Sequence, residues 1–149
     1  MVEVAELING LFDQNDRRAY SCLQGLEAES ERADDVYKYF NIFEKMLDNE
    51  NSYVRTRGIL LIVANARWDT DRKIDGMINK FLEHIGDVKP ITARQCIKSL
   101  PLLAKCKPDL KPVIMGALHT ADLSIYEPGM QDLIFHDIGE TWDKIDRGL

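Results

Sequence analysis

The side chains best suited to chemistry in this 149-residue sequence are three histidines, each close to an aspartate, and three cysteines. The histidine–aspartate pairs are His84/Asp87, His119/Asp122 and His136/Asp137. A metal site needs three or four such groups that converge. The pairs His84/Asp87 and His119/Asp122 fall at equivalent points, at the ends of separate helical segments, so we expect them to cap turns. The sequence therefore predicts no metal site.

The cysteines, Cys22, Cys96 and Cys106, show no CxxC spacing and fall on apolar helix faces, where cysteine behaves as a small hydrophobic residue. The sequence holds no glycine-rich phosphate loop, no GxSxG and no HExxH motif. An odd number of cysteines without such spacing is typical of a reducing compartment. The sequence therefore predicts a cytoplasmic protein that is not an enzyme and carries no cofactor. The stretch MVEVAELINGLF also lacks the basic residues of a signal peptide.

The net charge of −6 is unevenly distributed along the chain. Residues 51–111 carry 12 Lys/Arg against 6 Asp/Glu, a balance of +6, whereas the remainder carries 7 against 19, a balance of −12. A basic middle indicates either solvated helix surfaces or a surface for an anionic partner. The longest apolar run, Ile59–Ala64, has six residues against the roughly 20 that a membrane span needs, so no membrane association is expected.

The elements that must position these residues are helices, because apolar residues recur at three- and four-residue steps and no long alternating pattern occurs. In PITARQCIKSLPLLAK, the residues predicted to share the core face are Ile91, Cys96, Ile97, Leu100 and Leu103. Pro101 is expected to kink or end that helix. The predicted fold class is all-α.

Aspartates mark a repeat, since Asp13, Asp48, Asp87 and Asp122 are separated by 35, 39 and 35 residues. They divide one predicted domain, residues 1–149, into four helical hairpins at about 2–30, 34–68, 71–106 and 109–146. In the middle two hairpins an arginine, Arg55 or Arg94, follows the aspartate by seven residues, and Leu61 or Leu100 follows by thirteen.

This pattern resembles HEAT-type repeats, strongly in the middle hairpins and weakly in the terminal ones. The blocks ENSYVRTRG, ANARWD and KPITARQCIK are also similar to those of small bacterial HEAT-like chains, some of which are linked to iron–sulfur cluster assembly. The resemblance implies a right-handed α-α superhelix, a solenoid of about four hairpins. It also implies a structural ladder in which Asp48 pairs with Arg55 and Asp87 pairs with Arg94.

In such a solenoid the Ile59–Ala64 run would be an inner helix with neighbours on several sides, and Gly58 would permit a close helix crossing. The second helices would line a concave face. The candidates for partner contact there are Arg57, Arg67, Trp68, Arg94, Gln95 and Lys98. The alternatives are that Trp68 fills the core and that Arg57 is a solvated charge.

Three functions follow as hypotheses. The first is a non-catalytic interaction or scaffold module that binds a protein partner, with an acidic segment favoured. The second is a nucleic-acid binder or a HEAT-like enzyme similar to alkylpurine DNA glycosylases, suggested by RWDTD at 67–71 and by the basic middle. The third is an accessory factor in iron–sulfur cluster assembly. The oligomeric state is left open.

Overall fold

The structure, a computed structural model, describes residues 3–149; Val2, where the first predicted hairpin begins, lies outside this range. These residues form eight α-helices and four short 3-10 helices and contain no strand, so the all-α prediction is confirmed for them. The chain divides into two compact units, the first ending at Asp71 and the second comprising Arg72–Leu149. The prediction of one domain stays a prediction.

Each unit consists of four α-helices. The first unit contains α1 (Val4–Gly10), α2 (Asp16–Arg32), α3 (Phe40–Met46) and α4 (Ser52–Ala64), with 3-10 helices at Tyr37–Tyr39 and Ala66–Trp68. The second contains α5 (Lys73–Leu82), α6 (Pro90–Cys106), α7 (Lys111–His119) and α8 (Pro128–Arg147), with 3-10 helices at Glu83–Gly86 and Pro108–Leu110. Among residues 3–149, no helix combines the length and the apolar character needed to cross a bilayer.

A side-chain oxygen accepts a hydrogen bond from the backbone N–H two residues later in all four links between a first and a second helix. The acceptor and donor pairs are Asp13 and Asn15 (2.7 Å), Asn49 and Asn51 (2.8 Å), Asp87 and Lys89 (2.8 Å), and Asp122 and Ser124 (2.9 Å). Such a bond closes a local turn and lets the chain reverse between helices. The predicted marker in the second hairpin was Asp48, but the residue that closes this turn is Asn49.

In the first unit, α4 packs against both α2 and α3, which explains its continuous apolar run. Its fully buried apolar side chains include Ile59, Leu61 and Ile62. A Cβ atom at Gly58 would lie 2.8 Å from the Met46 Cβ and 2.9 Å from the Phe43 carbonyl oxygen. The close crossing expected at Gly58 is therefore present between α3 and α4.

In the second unit, α6 packs against α7, α8 and the 3-10 helix that follows α5. Its core face holds Cys96, Ile97, Leu100 and Leu103, as expected, but Ile91 is 67% exposed. The prediction that Ile91 belongs to the core was wrong, because Ile91 lies on the outward face of the first turn of α6, whereas Thr92 and Ala93 of the same turn are buried.

The helix α6 continues through Pro101 to Cys106, so Pro101 does not end it. A proline lacks the N–H that would donate to the carbonyl four residues earlier, here that of Ile97. The Thr141 hydroxyl of α8 donates to the Ile97 oxygen instead, at 3.2 Å in a buried setting. A side chain of α8 thus replaces the donor that Pro101 removes.

Candidate functional site

The histidine–aspartate pairs do not form a common site. The His84 Nδ1 lies 2.7 Å from Asp87 Oδ2, so this pair belongs to the turn that Asp87 closes. The His136 Nε2 contacts Glu140 at 2.8 Å, and the His119 ring lies 6.3 Å from the Trp142 ring, centroid to centroid. Within residues 3–149, no three His, Cys, Asp or Glu side chains are grouped to hold a metal ion.

The cysteines are free thiols in different environments. Cys96 is completely buried, whereas Cys22 and Cys106 are partly exposed. Burial raises the pKa of the Cys96 thiol, with a further contribution from the charge of Asp87. Cys96 therefore stays protonated at neutral pH and is a core residue rather than a nucleophile.

Arg57 lies in the interior of the first unit, with 6% of its surface exposed. Its Nη1 donates to the Leu11 carbonyl oxygen at 3.0 Å, and its Nη2 donates to Asp16 Oδ1 at 3.2 Å. The expectation that Arg57 is exposed on a binding face was wrong, because α4 is covered on more than one side. Its guanidinium ties the end of α1 to the start of α2.

Arg67 and Trp68 lie together at the C-terminal end of α2. The Trp68 indole Nε1 donates to the Ser30 carbonyl oxygen at 2.7 Å, and Arg67 Nη1 contacts the Glu31 oxygen at 3.4 Å. The last carbonyls of a helix lack intrahelical donors, so both side chains close this helix end. Trp68 is half-buried, whereas Arg67 is exposed to solvent.

The two arginines of the expected ladder each contact groups that the resemblance did not name. Arg55 Nη1 donates to the carbonyl oxygens of Asn49 and Glu50, each at 3.0 Å, and so holds the turn. Its pairing with Asp48 stays a prediction.

Arg94 does not contact its expected partner Asp87. Its Nε donates to Asp137 Oδ2 at 2.6 Å, and its Nη2 donates to Asp137 Oδ1 at 3.3 Å. Asp137 is almost completely buried on α8, and its hydrogen bond raises the pKa of the Arg94 guanidinium. The ladder prediction for Arg94 was wrong because a carboxylate 43 residues away in sequence lies nearer to its guanidinium.

Three of the predicted contact residues, Arg94, Gln95 and Lys98, share one outward face of α6. We call this face the α6 stripe. It comprises Ile91, Arg94, Gln95, Lys98, Leu102 and Lys105, which lie within about 100° of one another on the helix and span about 21 Å. Lys98 Nζ lies 3.9 Å from Asp137 Oδ1 with half of its side chain exposed, and Leu102 is 40% exposed. The stripe combines positive charge with exposed apolar surface.

The α6 stripe ends beside a cavity of about 200 Å³. Its apolar walls include Pro101, Ala104 and Ile145, and the ammonium-bearing side chains of Lys105 and Lys111 also line it. The structure shows no carboxylate partner for either lysine among residues 3–149. Both positive charges are thus available next to an apolar recess.

Periodicity found the central part of the α6 stripe but not its ends. Ile91 was assigned to the core, and Leu102 and Lys105 gave no signal beyond their spacing of four and seven residues from Lys98. That spacing could have identified them once the core face of α6 was fixed. Lys111 lies on another helix, and only the packing of α7 brings it to the cavity.

Arg57, Arg67 and Trp68 belong to the first unit, and the α6 stripe belongs to the second. In a comparison with known proteins, the chain matches no family model, no curated protein and no solved structure.

Proposed function

We propose that this protein is a non-catalytic binding module that captures an acidic, amphipathic segment of a partner protein on the α6 stripe. One observation carries the proposal: a basic and apolar helix face leads into a cavity lined by two lysines that have no carboxylate partner among residues 3–149. We further propose that the four hairpins stack as a right-handed HEAT-like superhelix. The resemblance of the middle hairpins and the turn bond repeated at each hairpin support that arrangement.

The chemistry of the α6 stripe favours a protein partner. An apolar anchor of the partner would fill the cavity between Pro101, Ala104 and Ile145, and interface energy is concentrated in such desolvated anchors. Carboxylates beside the anchor would meet Lys98, Lys105 and Lys111, which steers association more than it adds affinity. A nucleic-acid backbone would use the lysines but would leave the exposed Ile91 and Leu102 without apolar contacts.

The test uses a photo-crosslinking amino acid at Leu102 in the full chain, expressed in the source cell. We expect one or a few crosslinked proteins that disappear in the double variant Lys98→Glu/Lys105→Glu. The matched control is Lys144→Glu, which removes the same kind of charge from an exposed position on α8 without a carboxylate partner in residues 3–149. It should leave crosslinking unchanged.

Two results would contradict the protein-binding proposal. One is a crosslinking pattern that the double variant and the control change equally. The other is salt-sensitive binding to duplex DNA that Lys98→Glu/Lys105→Glu abolishes, because this would assign the α6 stripe to nucleic acid. Small-angle scattering tests the superhelix separately, since a stack of four hairpins is more elongated than a sphere of the same mass.

A further inference from the structure

A second apolar surface lies on α8, away from its core face. The core face holds Ile134, Asp137, Thr141 and Ile145. About 80–100° around the helix lies another set at steps of three and four residues, Phe135, Ile138 and Trp142, which we call the α8 stripe. Phe135 is 72% exposed and Trp142 is 37% exposed. An aromatic pair of this size on an outer helix face is typical of interaction sites.

Trp142 gives the α8 stripe a side wall. Its ring lies 6.3 Å from the His119 ring of α7, centroid to centroid, at an interplanar angle of 49°. The aromatic surface therefore follows α8 on the side next to the end of α7. A helix laid along this side would contact the Phe135 and Trp142 rings together, since they are two turns apart.

Carboxylates border the α8 stripe on its solvent side. They belong to Asp132, Asp143 and Asp146. Asp143 accepts a hydrogen bond from Arg147 at 3.0 Å, whereas Asp132 and Asp146 have no cationic partner among residues 3–149. Lys144 projects from the opposite side of the helix. The local field along the stripe is therefore negative.

We infer that the α8 stripe binds a basic amphipathic helix of another protein. Its apolar side chains would pack on Phe135 and Trp142, and its lysines or arginines would meet Asp132 and Asp146. A second copy bound through the same stripe would oppose like carboxylates across a two-fold axis, and an anionic membrane surface would be repelled. The inference is independent of the α6 stripe, which would take a segment of opposite charge.

The test titrates the full chain into two fluorescent synthetic helices of about 18 residues, one built from Leu and Lys and one from Leu and Glu, and follows anisotropy. We expect the Leu/Lys helix to bind with a dissociation constant of about 10 μM and the Leu/Glu helix to bind the α8 stripe at least about tenfold more weakly. Phe135→Ser should weaken Leu/Lys binding about tenfold. Its control, Leu133→Ser, removes an exposed apolar side chain on the other side of α8 and should change affinity less than about twofold.

The charge component is tested with Asp132→Asn/Asp146→Asn, which should weaken Leu/Lys binding about fivefold and flatten its salt dependence. The inference is overturned if the Leu/Lys helix does not bind, or if Phe135→Ser and Leu133→Ser lose affinity equally. It is also overturned if sedimentation shows self-association that Phe135→Ser abolishes. Leu/Glu binding that Phe135→Ser weakens as much as it weakens Leu/Lys binding would also overturn the inference, because the α8 stripe would then not select a basic partner. Leu/Glu binding that Lys98→Glu/Lys105→Glu abolishes belongs to the α6 stripe.

Discussion

The bond from Thr141 to the Ile97 carbonyl predicts a measurable coupling between two helices. In Thr141→Val the side chain keeps its shape but loses the hydroxyl, which donates at 3.2 Å in a buried setting. Because Pro101 supplies no N–H, the Ile97 oxygen is then left buried without that donor. We expect a loss in the free energy of unfolding of about 1–3 kcal/mol, the usual desolvation cost of one unsatisfied carbonyl.

The same substitution should cost less when Pro101 is replaced. In Pro101→Ala the new N–H can donate to the Ile97 oxygen in the ordinary helical manner. Adding Thr141→Val to that variant should then cost less than about 1 kcal/mol, so the double-mutant cycle should give a coupling energy of about 1 kcal/mol. Pro101→Ala by itself should stabilise α6, since proline is the poorest residue in a helix interior.

The assay is urea unfolding followed by far-UV circular dichroism and tryptophan fluorescence, with free energies compared where the two transitions coincide. The control is Thr120→Val, which removes a hydroxyl that donates to the Gly116 oxygen at 2.9 Å in an exposed setting. It should change stability by less than about 0.5 kcal/mol. If Thr141→Val costs the same in the Pro101→Ala variant as in the natural chain, the hydroxyl does not compensate for the proline and the reasoning fails.

Three further substitutions test other contacts. Gly58→Ala should lower the free energy of unfolding by about 1–2 kcal/mol, because overpacking between α3 and α4 outweighs the gain in helix propensity. Gly116→Ala, at a site with open space around it, should raise the free energy of unfolding by up to about 1 kcal/mol. A gain in stability at both sites would contradict the close crossing at Gly58. Arg57→Met should cost about 1–3 kcal/mol in urea unfolding because the Leu11 carbonyl loses its donor, and Arg67→Met should cost less than about 0.5 kcal/mol; equal costs would refute the burial argument. Burial alone would raise the pKa of Asp75, but hydrogen bonds and charge from Lys107 and Arg72 lower this pKa overall. The ionised Asp75 therefore stabilises the folded state above a pH of about 4, and this stabilisation is lost as the pH falls through the lowered pKa. In acid titrations followed by circular dichroism, Lys107→Gln should therefore move the unfolding midpoint to higher pH, and an unchanged midpoint would contradict this assignment.

The helices could be predicted because their signals are local. The predicted third hairpin, residues 71–106, ends where α6 ends at Cys106, since periodicity and turn residues both act over a few positions. The predicted marker of the second hairpin, Asp48, is one residue away from Asn49, which closes the turn. Asp48 and Asn49 are adjacent oxygen acceptors, and the sequence does not tell which of them closes the turn.

The candidate site could be predicted only in part because its residues are selected by contacts between distant segments. Arg57 and Arg67 are ten positions apart and look alike in the sequence, but Arg57 reaches the Leu11 carbonyl, 46 residues away, and is removed from solvent. Arg94 likewise donates a hydrogen bond to Asp137, 43 residues away. Each such contact pairs an arginine that helical periodicity alone would predict to be available to a partner. Lys98 on the α6 stripe also lies 3.9 Å from Asp137, although half of its side chain is exposed. Lys105 has no carboxylate partner among residues 3–149 and lines the apolar cavity, so it is the better candidate for binding.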